Sequence, residues 1–211
     1  MKKMTKIFAL LFLTAGVTAM VSCSSDDGAG AGDSGLSKAW KIDGRTFNQA
    51  FTYGETDEVE EGGDGNFTIV AVDETMTSYF AIMFPTKPTS NGTYNLLNTD
   101  DHAELFGNDN NELAANQAAA AFIETVDEVQ MIQEIKTSGA KVVVTVSNGK
   151  ITADVSEYDA HRYDEDTELN SSADLNGLPV VKVQGNMVET DHPGMGGRKI
   201  NIKGFKFNTV K

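Results

Sequence analysis

Short runs of β-branched and aromatic residues, separated by turn-forming residues, dominate the chain from Lys38 onward. Most runs span four to nine residues, and several alternate between apolar and polar positions, as strands of a half-buried sheet do. Such spacing predicts an all-β domain, either an antiparallel β-sandwich or a barrel-like sheet. The predicted strands and hairpins cover residues 39–53, 67–72, 78–84, 93–97, 141–155, 179–183 and 199–207.

Two segments have the pattern of a β-hairpin. Residues 141–147 and 150–155 are rich in valine and isoleucine and flank Asn148-Gly149. An Asn-Gly pair favours the positive φ angles of a two-residue hairpin turn. Asp43-Gly44 plays the same part between Trp40 and Phe47, where Trp40 is expected to anchor the core.

The segment of about 113–136 is the one stretch with a helical period. Its apolar residues recur every three or four positions in an alanine-rich context, and Gly139 follows as a stop. This spacing predicts one helix. The alternative is a pair of strands over 120–126 and 129–135.

The N-terminus has the three parts of a secretory signal. Lys2, Lys3 and Lys6 precede an apolar run of 15 residues from Ile7 to Val21. A membrane-spanning helix needs about 20 apolar residues, so the run indicates a signal peptide. Cleavage is expected between Ser22 and Cys23.

Ser22-Cys23 at this boundary resembles a bacterial lipoprotein signal, in which the cysteine is acylated and becomes the mature N-terminus. Ser24-Ser25-Asp26-Asp27 after it resembles the acidic export tag of Bacteroidota surface lipoproteins. The resemblance implies an outer-membrane protein that is lipid-anchored through Cys23 and faces the cell exterior. The alternatives are an ordinary secretory signal and a plain acidic linker.

The remainder divides into two parts. Residues 23–37 are rich in Gly, Ser and Asp, which is typical of a flexible tether. Residues 38–211 have enough apolar residues for a single β-rich domain. That domain resembles the β-sandwich lipoproteins of the Bacteroidota in its 40–47 hairpin, its Asn91-Gly92-Thr93-Tyr94 turn and strand, and its 142–155 hairpin. That family has no assigned activity.

Charge and cysteine content exclude several functions. The chain has 17 Lys+Arg against 31 Asp+Glu, and removal of residues 1–22 changes the formal charge from −14 to −17. A surface this negative disfavours nucleic acid and anionic lipid as partners, so membrane attachment depends on Cys23. Because Cys23 is the only cysteine, no disulfide framework or thiol nucleophile is expected once it is acylated.

No catalytic motif is present in the sequence. The three histidines, His102, His161 and His192, are far apart and form no zinc motif, and no G-x-S-x-G occurs. Residues 158–163 interleave aromatic and polar side chains, as carbohydrate-contacting loops do, although an anchored loop has the same pattern. We therefore expect a binding or structural module for an extracellular glycan or protein. The alternative is a polymer-degrading hydrolase that uses loop carboxylates.

No cofactor is expected apart from calcium. Oxygen-rich acidic loops of secreted β-domains are able to hold Ca²⁺, but none of the loops here has the spacing of an EF-hand. Gly107 would allow a sharp turn in the loop with the densest oxygen donors. The candidate ligands there are Asp100, Asp101, Asp109, Asn111 and Glu112.

Overall fold

A computed structural model describes residues 35–56, 66–99, 113–164, 167 and 175–190. Ten β-strands account for the regular structure of these residues, which confirms the mainly β prediction. The predicted strand at 199–207 and the N-terminal residues 1–34 lie outside them. The strands are β1 Ala39–Ile42, β2 Arg45–Thr56, β3 Phe67–Asp73, β4 Ser78–Phe84, β5 Gly92–Leu96, β6 Gln117–Val126, β7 Val129–Ile135, β8 Lys141–Ser147, β9 Lys150–Asp164 and β10 Val180–Val188.

The ten strands form one sheet that closes on itself. Its order is β10-β1-β2-β3-β4-β6-β5-β8-β9-β7, and the further pairings β10–β9 and β6–β7 complete the ring. All pairings are antiparallel except β5–β6. Strands β7 and β8 pair with successive parts of β9, so together they act as one interrupted strand. Each of the ten strands therefore has a hydrogen-bonded neighbour on both sides.

The segment 113–136 is not a helix, and that prediction was wrong. It forms β6 and β7, joined by Asp127 and Glu128, whose φ angles of 51° and 69° suit a two-residue hairpin turn. Residues 118–123 are buried on both faces of the sheet, so their apolar run lacks the alternation of a half-buried strand. The two strands of the alternative prediction match this segment closely.

Both predicted hairpins are confirmed. Asn148 and Gly149 have φ angles of 52° and 75°, and Ser147 pairs with Lys150. Asp43 and Gly44 connect β1 to β2 in the same way. A two-residue hairpin turn of this type needs positive φ angles at both residues, and Asn-Gly and Asp-Gly pairs adopt them readily.

The core fills the inside of the closed sheet. Trp40, Phe80 and Phe122 are fully buried there, and the rings of Phe80 and Phe122 stack with centroids 4.3 Å apart. Gly185 is required beside them, because a Cβ at this position would lie 2.6 Å from Cε1 of Phe80. The other large inward side chains include Ile42, Ile69, Ile82, Phe84, Ile135, Val142, Val144, Ile151, Val155, Val183 and Met187.

Strand β9 extends further than the sequence predicted. Residues 158–163 were expected in a loop, but they continue the strand to Asp164 and pair with both β7 and β10. A register shift opposite Val183 and Gly185 changes which residues of β9 face inward. After this shift Ala160 is in the core, so Arg162 shares the inner face while His161 and Tyr163 face outward.

No helix among the described residues is long and apolar enough to cross a membrane.

Candidate functional site

A cleft of about 470 Å³ lies on the outer side of strand β9. Among the described residues, four separate segments of the chain line it. His161 belongs to β9, Lys136 follows β7, Thr99 follows β5, and a turn between β9 and β10 provides the rest. The lining residues are Thr99, Lys136, His161, Leu175, Asn176, Gly177 and Leu178.

The turn at 175–178 covers part of β9 and forms one wall of the cleft. The backbone N–H of Leu178 donates to the carbonyl of Leu175, and the N–H of Arg162 donates to the carbonyl of Pro179. Leu175 is buried against Tyr163, with Ile132 and Leu178 packed beside them. The turn is thus held to the sheet by an apolar cluster and by backbone hydrogen bonds.

The sheet beneath this cover contains three titratable side chains. Glu134 is the cross-strand partner of His161, and both are buried. Tyr163 is hydrogen-bonded to Glu134, and its pKa is raised well above its usual value by burial first and by the charge of Glu134 second. The phenol is therefore neutral at physiological pH and donates to the carboxylate.

An ion pair stands beside the cleft. The ammonium of Lys182 donates to Oδ1 of Asp159 over 2.8 Å. This hydrogen bond is the main reason why the pKa of Asp159 is lowered and that of Lys182 is raised. The backbone N–H of Lys136 donates to the carbonyl of Asp159, so the pair adjoins a residue that lines the cleft.

A second polar cluster lies inside the sheet, on the opposite face of β9. The carboxylate of Glu124, only 2% exposed, contacts the guanidinium groups of Arg45 and Arg162. Nearby, the indole N–H of Trp40 donates to Oγ of Ser78, whose hydroxyl donates to the carbonyl of Ile123. These groups lie at the end of the sheet where the 43–44 and 127–128 turns connect the strands.

The site residues predicted from sequence lie outside the described part of the chain. They comprise Ser22, Cys23, Ser24, Ser25, Asp26 and Asp27 at the N-terminus and the calcium candidates Asp100, Asp101, Asp109, Asn111 and Glu112. Within the described residues, no group of three or more His, Cys, Asp or Glu side chains is arranged to hold a metal ion. The lipidation and calcium predictions therefore stay predictions.

Sequence reasoning identified one strand of the cleft and missed the rest. Residues 158–163, which include His161, interleave polar and aromatic side chains in a pattern typical of carbohydrate-contacting segments. The contributions of Thr99 and Lys136 have no local signal. The turn at 175–178 has one, since Asn176-Gly177 stands between two leucines.

Comparison with protein-family models, with curated proteins and with solved structures found no match for this chain.

Proposed function

We propose that the protein is a lipid-anchored binding module of the outer membrane that faces the cell exterior and holds a glycan in the cleft on β9. The anchor is Cys23, and residues 24–37 are the tether. The resemblance of residues 22–27 to a lipoprotein signal with an acidic export tag supports the location. The observation that carries the binding proposal is the cleft itself.

The chemistry of the cleft suits a polar, uncharged ligand that has many hydroxyl groups. Lys136, His161 and Asn176 offer donors and acceptors from three side chains of different kinds. The hydroxyl of Thr99 donates to the carbonyl of Ile135 and keeps only its acceptor positions. Leu178 adds apolar area, which packs against the C–H face of a sugar ring. A volume of about 470 Å³ is within the usual range for small-ligand sites and admits one or two sugar rings.

The alternative function, hydrolysis of an extracellular polymer, requires two carboxylates on either side of the scissile bond. None of the described residues that line the cleft is an aspartate or a glutamate. Two described acidic residues adjoin residues of the lining, Glu134 beside His161 and Asp159 beside Lys136. Both are engaged, Glu134 by Tyr163 and Asp159 by Lys182. This arrangement of the described residues favours binding over hydrolysis.

The test is a glycan-array screen of the chain from Ser24 to Lys211, followed by calorimetric titration of the best ligand. Lys136→Ala and Asn176→Ala should each weaken binding by about tenfold, the effect of one lost hydrogen bond at a desolvated contact. Lys87→Ala is the matched control, because Lys87 pairs with Glu189 and does not line the cleft. Unchanged affinity in both cleft variants would place the ligand elsewhere and contradict the proposal.

A further inference from the structure

Arginine is used sparingly in this chain and is concentrated at one place. The sequence contains 14 lysines but only three arginines, Arg45, Arg162 and Arg198. Two of the three meet at the carboxylate of Glu124. Nη2 of Arg45 lies 2.6 Å from Oε1 and 2.5 Å from Oε2 of Glu124, and Nη2 of Arg162 lies 2.9 Å from Oε1.

The charges in this cluster do not balance. One carboxylate stands between two guanidinium groups, which leaves a surplus of one positive charge in a molecule that is otherwise strongly acidic. A single arginine suffices to neutralise a buried carboxylate, because its planar fork donates two parallel hydrogen bonds. The second arginine is therefore not explained by the charge of Glu124 alone.

Both guanidinium groups keep unused donors. Their hydrogen bonds and ion pairs with described residues use Nη2, and the Arg45 guanidinium also lies over the ring of Phe47, with Cζ 6.0 Å from the ring centroid. Nε and Nη1 of each arginine therefore remain as donors on the described surface. The side chain of Arg45 is 51% exposed and that of Arg162 is 22% exposed, compared with 2% for Glu124. A small solute can therefore reach the arginines while their shared carboxylate stays buried.

An acceptor lies beside these donors. Gln133 is the cross-strand partner of Arg162, and the two share the inner face of the sheet. Its side chain is fully buried. Nε2 donates to the carbonyl of Met131, whereas Oε1 has no hydrogen-bond partner among the described residues. A buried amide oxygen of this kind calls for a donor such as a hydroxyl group.

The surrounding charge limits what an anionic ligand can be. Asp43, Asp127, Glu128 and Asp164 all lie in turns or strand ends at this end of the sheet. They repel polyanions, including nucleic acid and the surface of an anionic membrane. A ligand with one carboxylate has the least repulsion to overcome, and its geometry matches the arginine fork.

We propose that Arg45, Arg162 and Gln133 form a binding subsite for a hydroxylated carboxylate of the size of a uronic acid. The arginines would donate to the carboxylate of the ligand. Oε1 of Gln133 is buried in this structure, so it would accept from a hydroxyl group of the ligand only once the neighbouring side chains shift. This subsite is on the inner face of the sheet, whereas the cleft beside His161 is on the outer face. The proposal does not rest on the proposed function, and each can fail alone.

The three arginines allow a direct test by NMR of the chain from Ser24 to Lys211. The Nε–Hε correlations of arginine should give three signals, which Arg45→Lys and Arg162→Lys assign. The probes are sodium D-glucuronate, sodium acetate and D-glucose, with sodium chloride added to match ionic strength. Glucuronate should shift the signals of Arg45 and Arg162 saturably, acetate should shift them more weakly, and glucose should have no effect. The Arg198 signal should not move.

Arg45→Lys also provides the matched variant for affinity. It keeps the positive charge and, since Arg45 is half exposed, it should fold, which a backbone amide spectrum like that of the unaltered chain would verify. Glucuronate should bind this variant about tenfold more weakly, because an ammonium group cannot form the planar pair of hydrogen bonds. Lys87→Ala, at a residue that pairs with Glu189 and belongs to neither site, should bind glucuronate like the unaltered chain.

Three results would overturn the proposal. Equal shifts of all three signals with glucuronate and chloride would mean general screening of an acidic chain. An absence of shifts would mean that the cluster is an internal ion pair and nothing more. Binding that survives Arg45→Lys but is lost in Lys136→Ala would assign the carboxylate to the outer cleft.

Discussion

Glu124 is a buried carboxylate that forms ion pairs with Arg45 and Arg162 on the inner face of the sheet. Replacement by glutamine keeps the shape of the side chain but leaves two guanidinium groups facing a neutral amide. Removing one partner of a buried ion pair costs about 3–5 kcal/mol, and the half-exposed Arg45 reduces that figure. We therefore expect Glu124→Gln to lower the free energy of unfolding by about 2–3 kcal/mol in urea denaturation at pH 7.

Glu157→Gln is the control for this change. Glu157 is an exposed glutamate whose nearest cation, Lys182, is 4.0 Å away. Its replacement should alter stability by less than about 0.5 kcal/mol. If the two variants were equally stable, the contacts at Glu124 would contribute nothing beyond those of a surface pair.

The raised pKa of the Tyr163 phenol predicts that the protein loses stability as the pH rises in the alkaline range. The pKa of this phenol is raised in the folded protein, while in the unfolded chain it is about 10. The group therefore contributes its full stability below pH 10, and this contribution is lost as the pH rises further. Tyr163→Phe should make the fall in unfolding free energy above pH 10 shallower, by up to about 1.4 kcal/mol per pH unit. Identical slopes for the two proteins would show that Tyr163 does not stay protonated.

The contacts of single residues were the part of the structure that the sequence predicted least well. Arg45 and Glu124 are 79 positions apart, and neither belongs to a recognisable motif. The same is true of Lys136 and Thr99 in the cleft. Local sequence patterns cannot predict contacts of this kind, because the contacts depend on which strands become neighbours in the closed sheet. Trp40 is the exception, because its alternation with charged residues in the 40–47 hairpin predicted a core position, and it is fully buried.

At the scale of elements, the turn chemistry was the most reliable signal. Gly149 has a φ of +75°, and a Cβ there would meet no other atom within 4 Å. The cost of Gly149→Val would therefore come from backbone strain alone, about 1–2 kcal/mol for a β-branched residue in the left-handed region. Thermal unfolding should show a clear fall in Tm.

Gly177→Val separates backbone strain from the simple loss of a glycine. Gly177 also has open space around it, but its φ does not lie in the left-handed region. We expect this variant to melt within about 2 °C of the unaltered chain. A Tm for Gly149→Val that matched the Gly177 variant would contradict the requirement for positive φ in the hairpin.

The failed helix prediction has a clear cause at this scale. Strand β6 is packed on its inner face against the core and on its outer face against residues such as Met83 and Leu113. A strand buried on both sides carries no alternation, and its alanines and phenylalanine then satisfy a helical period by coincidence. The opposite error occurred in β9, whose polar residues suggested a loop. In that strand His161 lines the cleft and Arg162 forms an ion pair with Glu124. Their polarity therefore reflects these contacts and does not indicate a loop.

At the scale of the whole molecule, the sequence predicted the class of fold but not the order in which the strands pair. Eight or more short strands indicated a sandwich or a barrel-like sheet, and the ten strands form a ring in which each has two neighbours. None of these ten described strands is therefore an edge strand that could pair with another chain along one side. In the proposed function, residues 22–27 would direct this domain to the cell surface.

The anchor is tested by Cys23→Ser. Two or three acyl chains, each contributing about 0.8 kcal/mol per buried methylene, would hold the protein on a membrane permanently. The chain without residues 1–22 would have a formal charge of −17, which disfavours attachment through anionic lipid. Serine cannot form the thioether, and cleavage in lipoprotein maturation follows that modification. The variant should therefore lose label from an alkynyl fatty acid and accumulate as a precursor that retains residues 1–22.

Asp26→Ala with Asp27→Ala is the companion variant, which should keep the label but resist protease added to whole cells. Label on Cys23→Ser would disprove the anchor, and unchanged proteolysis of the double variant would reduce the acidic pair to a linker.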